Sequence, residues 1–230
     1  FYVLDYKNRE IPIKVRKNKL SKSYKLTFDK KDLCGFVSIP KYVSFKSGYT
    51  FASENVNWIG NQLDEFLPII LIKDGANINF FGKNKIIKFI QSENNYIQNL
   101  SNELIIFSKS ENHSNLFKKW VKLKTIEHSN IFIKRFSKNL KVNISKIKIT
   151  NSYSYWGACN SKSEISINWR LLFCPEKVLE YIIAHELCHL IEFNHSKKFW
   201  HLVDTITKQR NSAQAWLKKN NNYMHRIRFD

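Results

Sequence analysis

One short stretch of this chain, "HELCHLIEFNH" at residues 185–195, constrains the fold more than any other. The apolar residues around it predict a helix over about residues 175–193. His185 and His189 are four positions apart, so they lie one turn above each other on one face of that helix. Glu186 lies about 100° around the helix from His185, where it can reach a bound metal ion without having to ligate it. The pattern predicts a metal site in which the glutamate acts as general base on a metal-bound water.

The third metal ligand has to come from later in the chain, because a catalytic zinc takes three protein ligands and keeps one position for water. No glutamate follows Glu192, and the remaining acids are Asp204 and Asp230. His195 is the better candidate, since Asn194 tolerates a turn conformation that swings the next residue back toward the metal. The predicted site is therefore one Zn²⁺ per chain held by His185, His189 and His195, with Glu186 as the catalytic residue.

The segment after the motif supports this interpretation. Ser196 is placed to cap a second helix, over about residues 197–209. Phe199 and Trp200 would then pack beneath the metal ligands. The alternative is that the three histidines are core residues satisfied by hydrogen bonds, and Cys188, between the first two, is interpreted as a packing residue.

The composition is that of a folded globular protein, with 43% hydrophobic and 25% charged residues. The apolar runs are short or interrupted by charge, so no transmembrane span and no membrane partner are expected. No signal peptide is visible, and the four cysteines lack both CxxC spacing and a dense framework, so we expect reduced thiols and a cytoplasmic location. The chain does not begin with Met, which suggests that a segment was removed before residue 1.

The net charge of +19 is distributed unevenly. Residues 1–50 carry 12 basic and 4 acidic groups, residues 101–150 carry 11 and 3, and residues 151–200 carry 5 of each. The basic segments could attract a polyanion, so nucleic acid is a candidate partner through the N-terminal surface. Eight basic residues interleave with Tyr24 and Phe28 over residues 14–31. The simpler interpretation is a solvated lysine-rich surface of the kind that AT-rich coding produces.

The pattern along the chain predicts an α+β protein. "SYKLTF" and "GFVSIP" indicate strands of a mainly antiparallel sheet, and Ala52, Val56, Ile59 and Leu63 indicate one helix that Pro68 ends. Short strands follow: "IILI", "INFFG", "IIKFI" and "LIIF", with a turn at Asp74-Gly75. The polar patch at residues 108–114 suggests two domains, 1–110 as a β-rich basic region and 111–230 as the catalytic domain.

The second half is predicted to begin with a long helix over residues 116–140, followed by a strand over residues 145–150. "YWGACNSKSEISINW" indicates a hairpin with its turn at residues 160–163 and with Ile165 and Ile167 facing inward. The strand over residues 164–169 is expected to lie beside the metal site, where an extended peptide could pair with it.

Residues 153–205 resemble the YgjP-like metallopeptidase domain family, which is related to the SprT and WLM zincin-type metalloproteases. The segments that carry the resemblance are "YWGACNSKSEISINWRLL" and "HELCHLIEFNHSKKFW". The resemblance implies a zincin-like catalytic domain in which Glu186 acts with a zinc ion on His185, His189 and His195. The first 110 residues are also similar to the family's N-terminal part, though less specifically.

Two departures from the family pattern limit what carries over. Ala158 stands where the family usually has Ser, and Tyr155 where it often has Arg, so roles of that hydroxyl and guanidinium are not expected here. The histidine spacing also equals that of the metzincins, but Glu192 replaces the glycine of their turn. Met224, the only methionine, is interpreted as a packing residue rather than as part of a Met-turn.

These features together predict a zinc metallopeptidase acting on peptide or protein substrates. The alternatives are a metal-dependent hydrolase of nucleotide phosphoanhydrides, a SprT-like protease associated with nucleic acid, and a binding module that has lost activity, which an intact Glu186 argues against. His201 and His225 are further candidates for stabilising the oxyanion. The residues proposed for substrate or oxyanion contacts are Tyr153, Tyr155, Asn168 and Tyr223.

Overall fold

The protein has an α+β fold, and the computed structural model describes residues 2–109 and 112–229 of it. It divides into two compact units, the first ending at Ile69 and the second beginning at Ile70. This division differs from the boundary near residue 110 that the polar patch suggested. Residues 110 and 111 in that patch, like Asp230, lie outside the described residues.

The first unit combines a four-stranded sheet with two helices. Its elements are β1 (Tyr2–Tyr6), β2 (Arg9–Asn18), β3 (Lys25–Asp29), β4 (Cys34–Pro40), α1 (Phe45–Glu54) and α2 (Val56–Phe66). The strand order is β1-β2-β4-β3. The pairs β1/β2 and β3/β4 are antiparallel, as expected, but β2 and β4 are parallel, so the sheet is mixed. The inner face of the sheet buries Ile11, Ile13 and Val37 against the helices.

The single helix predicted from Ala52 to Leu63 is in fact two helices. Asn55 separates them, because its side-chain amide donates to the carbonyl of Phe51 at 2.8 Å and its backbone N–H bonds within the last turn of α1. The apolar spacing was still informative, since Ala52, Ile59 and Leu63 are buried in the same core.

The second unit contains the remaining elements. They are β5 (Ile70–Ile72), β6 (Asn77–Phe80), β7 (Lys83–Gln91), β8 (Tyr96–Asn99), β9 (Glu103–Ser108), α3 (His113–Leu140), β10 (Lys146–Thr150), β11 (Gly157–Cys159), β12 (Glu164–Asn168), a 3₁₀ helix (Trp169–Phe173), α4 (Glu176–Cys188), α5 (Lys197–Ile206), α6 (Arg210–Arg226) and β13 (Ile227–Phe229). The strands form three sheets with the orders β6-β7-β9-β8, β10-β12-β11 and β5-β13.

The strands after Ile69 belong with the second unit because they share its core. Ile87 and Leu104 of the β6-β7-β9-β8 sheet pack in one cluster with Phe117 of α3 and Leu172 of the 3₁₀ helix. These strands therefore fall in one compact unit with α3 and the later helices, although the polar patch suggested a boundary near residue 110.

A second core cluster positions the functional residues. It brings β12 together with α3, α4, α5 and α6, and it includes Ile165 and Ile167, which face inward as predicted. Met224 lies on α6 and is fully buried in this cluster, as a packing residue would be. None of the described helices is both long and apolar enough to cross a membrane.

Candidate metal centre

Helix α4 supplies the first part of the site. It begins at Glu176, an acidic residue that favours the N-terminal end of a helix, and it ends at Cys188, earlier than the predicted residue 193. After the helix, the backbone N–H groups of Leu190 and Ile191 donate to the carbonyls three residues earlier, those of Leu187 and Cys188. The residue after Cys188 keeps helical angles, φ −66° and ψ −15°, so the predicted spacing of the two histidines on one face is retained.

The loop after α4 returns His195 to the other two histidines. Ser196 begins the next helix, where its hydroxyl accepts a hydrogen bond from the N–H of Phe199, as predicted. The Nε2 atom of His195 lies 3.0 Å from Nε2 of His185, and Nε2 of His189 lies 3.2 Å from the same atom. The ligand atoms of the three residues all lie within 4.8 Å of one another.

This arrangement suits a bound cation. Three ring nitrogens that face each other cannot all be satisfied by shared protons, whereas a metal ion accepts all three lone pairs. In a tetrahedral site with Zn–N bonds of about 2.0–2.1 Å, ligand nitrogens lie roughly 3.3 Å apart, close to the two distances from Nε2 of His185, 3.0 and 3.2 Å. Burial, reinforced by the neighbouring His189 and His195, lowers the pKa of His185 to about 4 and keeps its ring neutral. The residues present therefore fit a zinc ion.

Surrounding groups orient two of the three rings, those of His189 and His195. Nδ1 of His189 lies 3.2 Å from the carbonyl oxygen of Glu192, so it can donate there and leave Nε2 free to bind a metal. Phe199 is fully buried and stacks on His189 with ring centroids 4.6 Å apart, while Trp200 stacks on His195 at 5.5 Å. The prediction that these two aromatic residues pack beneath the site is confirmed.

Glu186 is buried next to this cluster, with only 6% of its surface exposed. Burial raises the pKa of its carboxyl to about 8. The edge strand β11 approaches it at Gly157, where a Cβ atom would lie 2.6 Å from Oε1 of Glu186 and 2.8 Å from Cγ2 of Ile182. Only glycine allows this approach, so Gly157 is a site residue that the sequence interpretation missed. The available signal was a glycine inside a predicted strand, which often marks a close contact.

The raised pKa predicts a pH-dependent stability of the metal-free protein. Between about pH 4.5 and about pH 8 the folded state keeps a proton on Glu186 that the unfolded state releases. The stabilisation is complete below that window and is lost as the pH rises through it. Relative to a Glu186→Gln variant, the metal-free wild type should lose more than about 1 kcal/mol of unfolding free energy across the window. Denaturant titrations at several pH values measure this, and parallel curves for the two proteins would contradict it.

The strand predicted to receive a substrate does not have a free edge. β12 pairs with β10 on one side and with β11 on the other, so an added peptide cannot pair with it. That expectation is wrong, and among the described strands β11 is the edge of this sheet next to the site. Backbone bonds to β12 involve Trp156 and Asn160, two residues either side of Ala158. By the alternation of an antiparallel pair, the N–H and C=O groups of Gly157 and Cys159 face the open side.

A cavity of about 340 Å³ lies between this edge and the metal centre. Two of the three histidines, His189 and His195, form part of its wall, so a molecule in the cavity would lie against a metal ion bound to them. The residues that line it are Cys159, Asn160, Ser161, His189, Phe193 and His195.

Two of the residues proposed for substrate contact instead hold the loop before β11. Asn168 is fully buried, and its side-chain amide donates to the carbonyl of Ser152 at 2.7 Å. The hydroxyl of Tyr153 lies 2.9 Å from Nη2 of the buried Arg170, which also donates to Asn151 at 2.7 Å. We therefore assign Asn168 and Tyr153 to support of the loop at residues 151–156, and Arg170 to the same role.

The other candidate residues are dispersed over the second unit. Tyr155 lies in the loop that leads into β11 and keeps 43% of its surface exposed. Tyr223 is half-buried on α6 against the apolar core. His225 is buried and stacks on Trp156 at 4.4 Å, and His201 is exposed on α5.

The alternative third ligand Asp204 forms an ion pair with Arg210 at 3.1 Å. Among the described residues, the group whose ligand atoms converge consists of the three histidines and does not include this aspartate.

Comparisons with known proteins identify a family for most of the chain. The family described as "YgjP-like, metallopeptidase domain" matches residues 22–220. Among solved structures, the chain is similar to the metallopeptidase zymogen jannalysin of Methanocaldococcus jannaschii, with 21% identity over 41% of this chain and 86% of that chain. The TM-score of 0.33 is too low for this likeness to carry an argument. No curated protein matches the chain.

Proposed function

The chain belongs to the YgjP-like metallopeptidase family, and we propose that it is a zinc-dependent, zincin-like peptidase with a three-histidine metal site and Glu186 as general base. The observation that carries this proposal is the convergence of three Nε2 atoms, with spacings of 3.0 and 3.2 Å, at the end of a helix that also holds a buried carboxyl. Catalytic zinc is typically bound by three protein ligands, here three neutral imidazoles, and its fourth position is left for water or substrate.

The roles of the chain's own groups follow from their positions. Zinc, when bound, would supply a Lewis acid and lower the pKa of a coordinated water to about 7. Glu186 would accept a proton from the attacking water and later deliver it to the leaving amine. Its approach to Gly157 holds its carboxyl against the strand edge along which a peptide would bind.

The substrate would bind as an added strand along β11. The outward backbone groups of Gly157 and Cys159 can pair with an extended peptide, which fixes its direction and register without demanding a particular side chain. Of the tyrosines, Tyr155 is our candidate for contact with the substrate or the oxyanion, because its exposed side chain lies on the segment that enters β11. Tyr223 is a second candidate.

The chemistry of the cavity favours a peptide over a nucleotide. Phosphates are usually bound by Arg or Lys side chains or by glycine-rich backbone loops. The residues that line the cavity include neither Arg nor Lys, and the basic segments of the sequence supply none of them. We therefore rank the phosphoanhydride hydrolase below the peptidase. A protease associated with nucleic acid through the basic N-terminal segment is the third candidate.

The proposal is tested by removing the metal with a chelator, restoring zinc, and assaying an unfolded protein and nucleoside triphosphates in parallel. We expect the unfolded protein to be cleaved only after zinc is restored and the triphosphates to remain intact. Metal-dependent triphosphate hydrolysis without proteolysis would contradict the proposal. Cleavage that persists without metal would contradict the role of the histidines.

A further inference from the structure

We propose that the cavity between β11 and the metal centre is a subsite for one large apolar side chain of an extended peptide, and that Phe193 determines this preference. The inference rests on the proposed peptidase function and adds the class of substrate to it. It depends on three features of the cavity: the absence of charged side chains from the described part of its wall, its exposed aromatic side chain, and its alignment with the strand edge.

Two of the polar side chains that line the cavity, Asn160 and His189, already have partners within the protein. The Asn160 amide donates to Oε2 of Glu164 at 2.8 Å, and its Oδ1 accepts from the N–H groups of Lys162 and Glu164, both at 3.0 Å. His189 forms a hydrogen bond through Nδ1 to a backbone carbonyl, and its Nε2 is one of the three converging histidine nitrogens. Ser161 adds one exposed neutral hydroxyl, and the described residues of the lining include no Lys, Arg, Asp or Glu. A charged substrate side chain would therefore lose its hydration without gaining a salt bridge from the wall.

The main apolar side chain of the cavity wall is exposed to solvent. Phe193 is 75% exposed, although it lies between two metal ligands in the chain and lines the cavity. Cys159, on the facing strand, packs against the apolar core behind it. An apolar side chain placed between these two residues would remove the phenyl ring from water, which is favourable.

Strand geometry directs a substrate side chain into this space. Cys159 and Gly157 are two apart in β11, so their side-chain positions lie on the same face of the sheet, the face that meets Glu186. A peptide residue directly opposite Cys159 would present its side chain on that face. It would enter the cavity lined by Cys159, His189 and Phe193, while the neighbouring backbone extends past Gly157.

The test measures binding separately from catalysis. Zinc-loaded Glu186→Gln protein is titrated with peptides that differ at one position only, carrying Phe, Leu, Ala, Asp or Lys there. In parallel, the cleavage sites that active enzyme makes in an unfolded protein are mapped by mass spectrometry. Both measurements are repeated with Phe193→Ala, with Phe193→Glu, and with Ile191→Ala as the matched control. Ile191 is 47% exposed on the same loop but does not line the cavity.

We expect Phe and Leu peptides to bind at least roughly tenfold more tightly than Asp peptides, and cleavage sites to show the same preference. Phe193→Ala should remove most of this preference, Phe193→Glu should shift it toward Lys, and Ile191→Ala should leave it unchanged. Because Phe193 is largely exposed, these variants should fold normally.

Equal binding of all peptides, or a preference that Phe193→Ala leaves intact, would overturn the inference. The two proposals fail in different ways. Cleavage without any residue preference would leave the peptidase proposal standing and refute the subsite. Binding with the Phe193-dependent preference, but without cleavage by the zinc-loaded wild type, would support the subsite and refute the peptidase.

Discussion

Replacing Glu186 with Gln is expected to lower kcat for peptide hydrolysis by roughly 100- to 10,000-fold while zinc stays bound. The carboxyl is buried beside the metal group, where it is the candidate acceptor for the proton of the attacking water. Glutamine has nearly the same shape but cannot accept that proton as a base. Glu186 is not one of the three proposed zinc ligands, so the zinc content of the variant should remain one per chain. Kinetic assays and metal analysis of the same preparation measure both quantities.

The matched control for this variant is Glu176→Gln. Glu176 lies in the first turn of the same helix and is exposed, so the substitution changes the charge of α4 without touching the site. Its activity should match that of the wild type within about twofold. If Glu186→Gln retained full activity, the general base would have to be another group, and the proposed mechanism would fail.

Replacing His195 with Ala is expected to weaken zinc binding by more than about 100-fold, which exceeds the usual cost of losing a residue that only supports a ligand. His195 is the exposed member of the group and the one contributed by the loop rather than by α4. Two histidines one turn apart cannot by themselves complete the three-ligand set of a catalytic zinc. Competition titrations with a chromophoric chelator give the affinity.

His201→Ala is the matched control for zinc affinity, because it removes a nearby histidine whose side chain is exposed on α5. It should bind zinc as the wild type does. Unchanged zinc affinity in His195→Ala would instead point to Asp204 or a water molecule as the third ligand. Since Asp204 is paired with Arg210, such a result would require that ion pair to break.

The convergence of the three histidines could be predicted from the sequence because it depends mostly on local geometry. Four-residue spacing places two histidines on one helix face, and the shortage of later acids directed attention to His195. The cap at Ser196 and the aromatic residues behind it followed from short-range patterns as well. Even the early end of α4 changed little, because the residue after the helix keeps helical backbone angles.

The features that could not be predicted from the sequence depend on contacts between distant segments. The approach of Gly157 to Glu186 joins residues 29 positions apart, and the cavity joins a strand turn to the loop after α4. Neither leaves a periodic signal in the chain. The prediction that the strand over residues 164–169 receives the substrate failed because the sequence does not show that β10 and β11 pair with both of its edges.

Two features of the first part of the chain were not predicted, for the same reason. The parallel pairing of β2 with β4 arises because β3 returns along the outer edge of β4, and strand order is not encoded in alternation. The break between α1 and α2 depends on a side-chain cap by Asn55, which a continuous apolar spacing conceals. Local chemistry thus predicts elements, while long-range packing determines their edges and contacts.

X-ray absorption spectroscopy of the zinc-loaded protein would identify the atoms that bind the metal. We expect a first shell of nitrogen and oxygen atoms at about 2.0–2.1 Å, with the outer-shell scattering of three imidazole rings and no sulfur. A sulfur shell at about 2.3 Å would place a cysteine such as Cys159 in the coordination sphere, and fewer than three imidazoles would remove His195 from it. Either result would contradict a zinc site made by His185, His189 and His195.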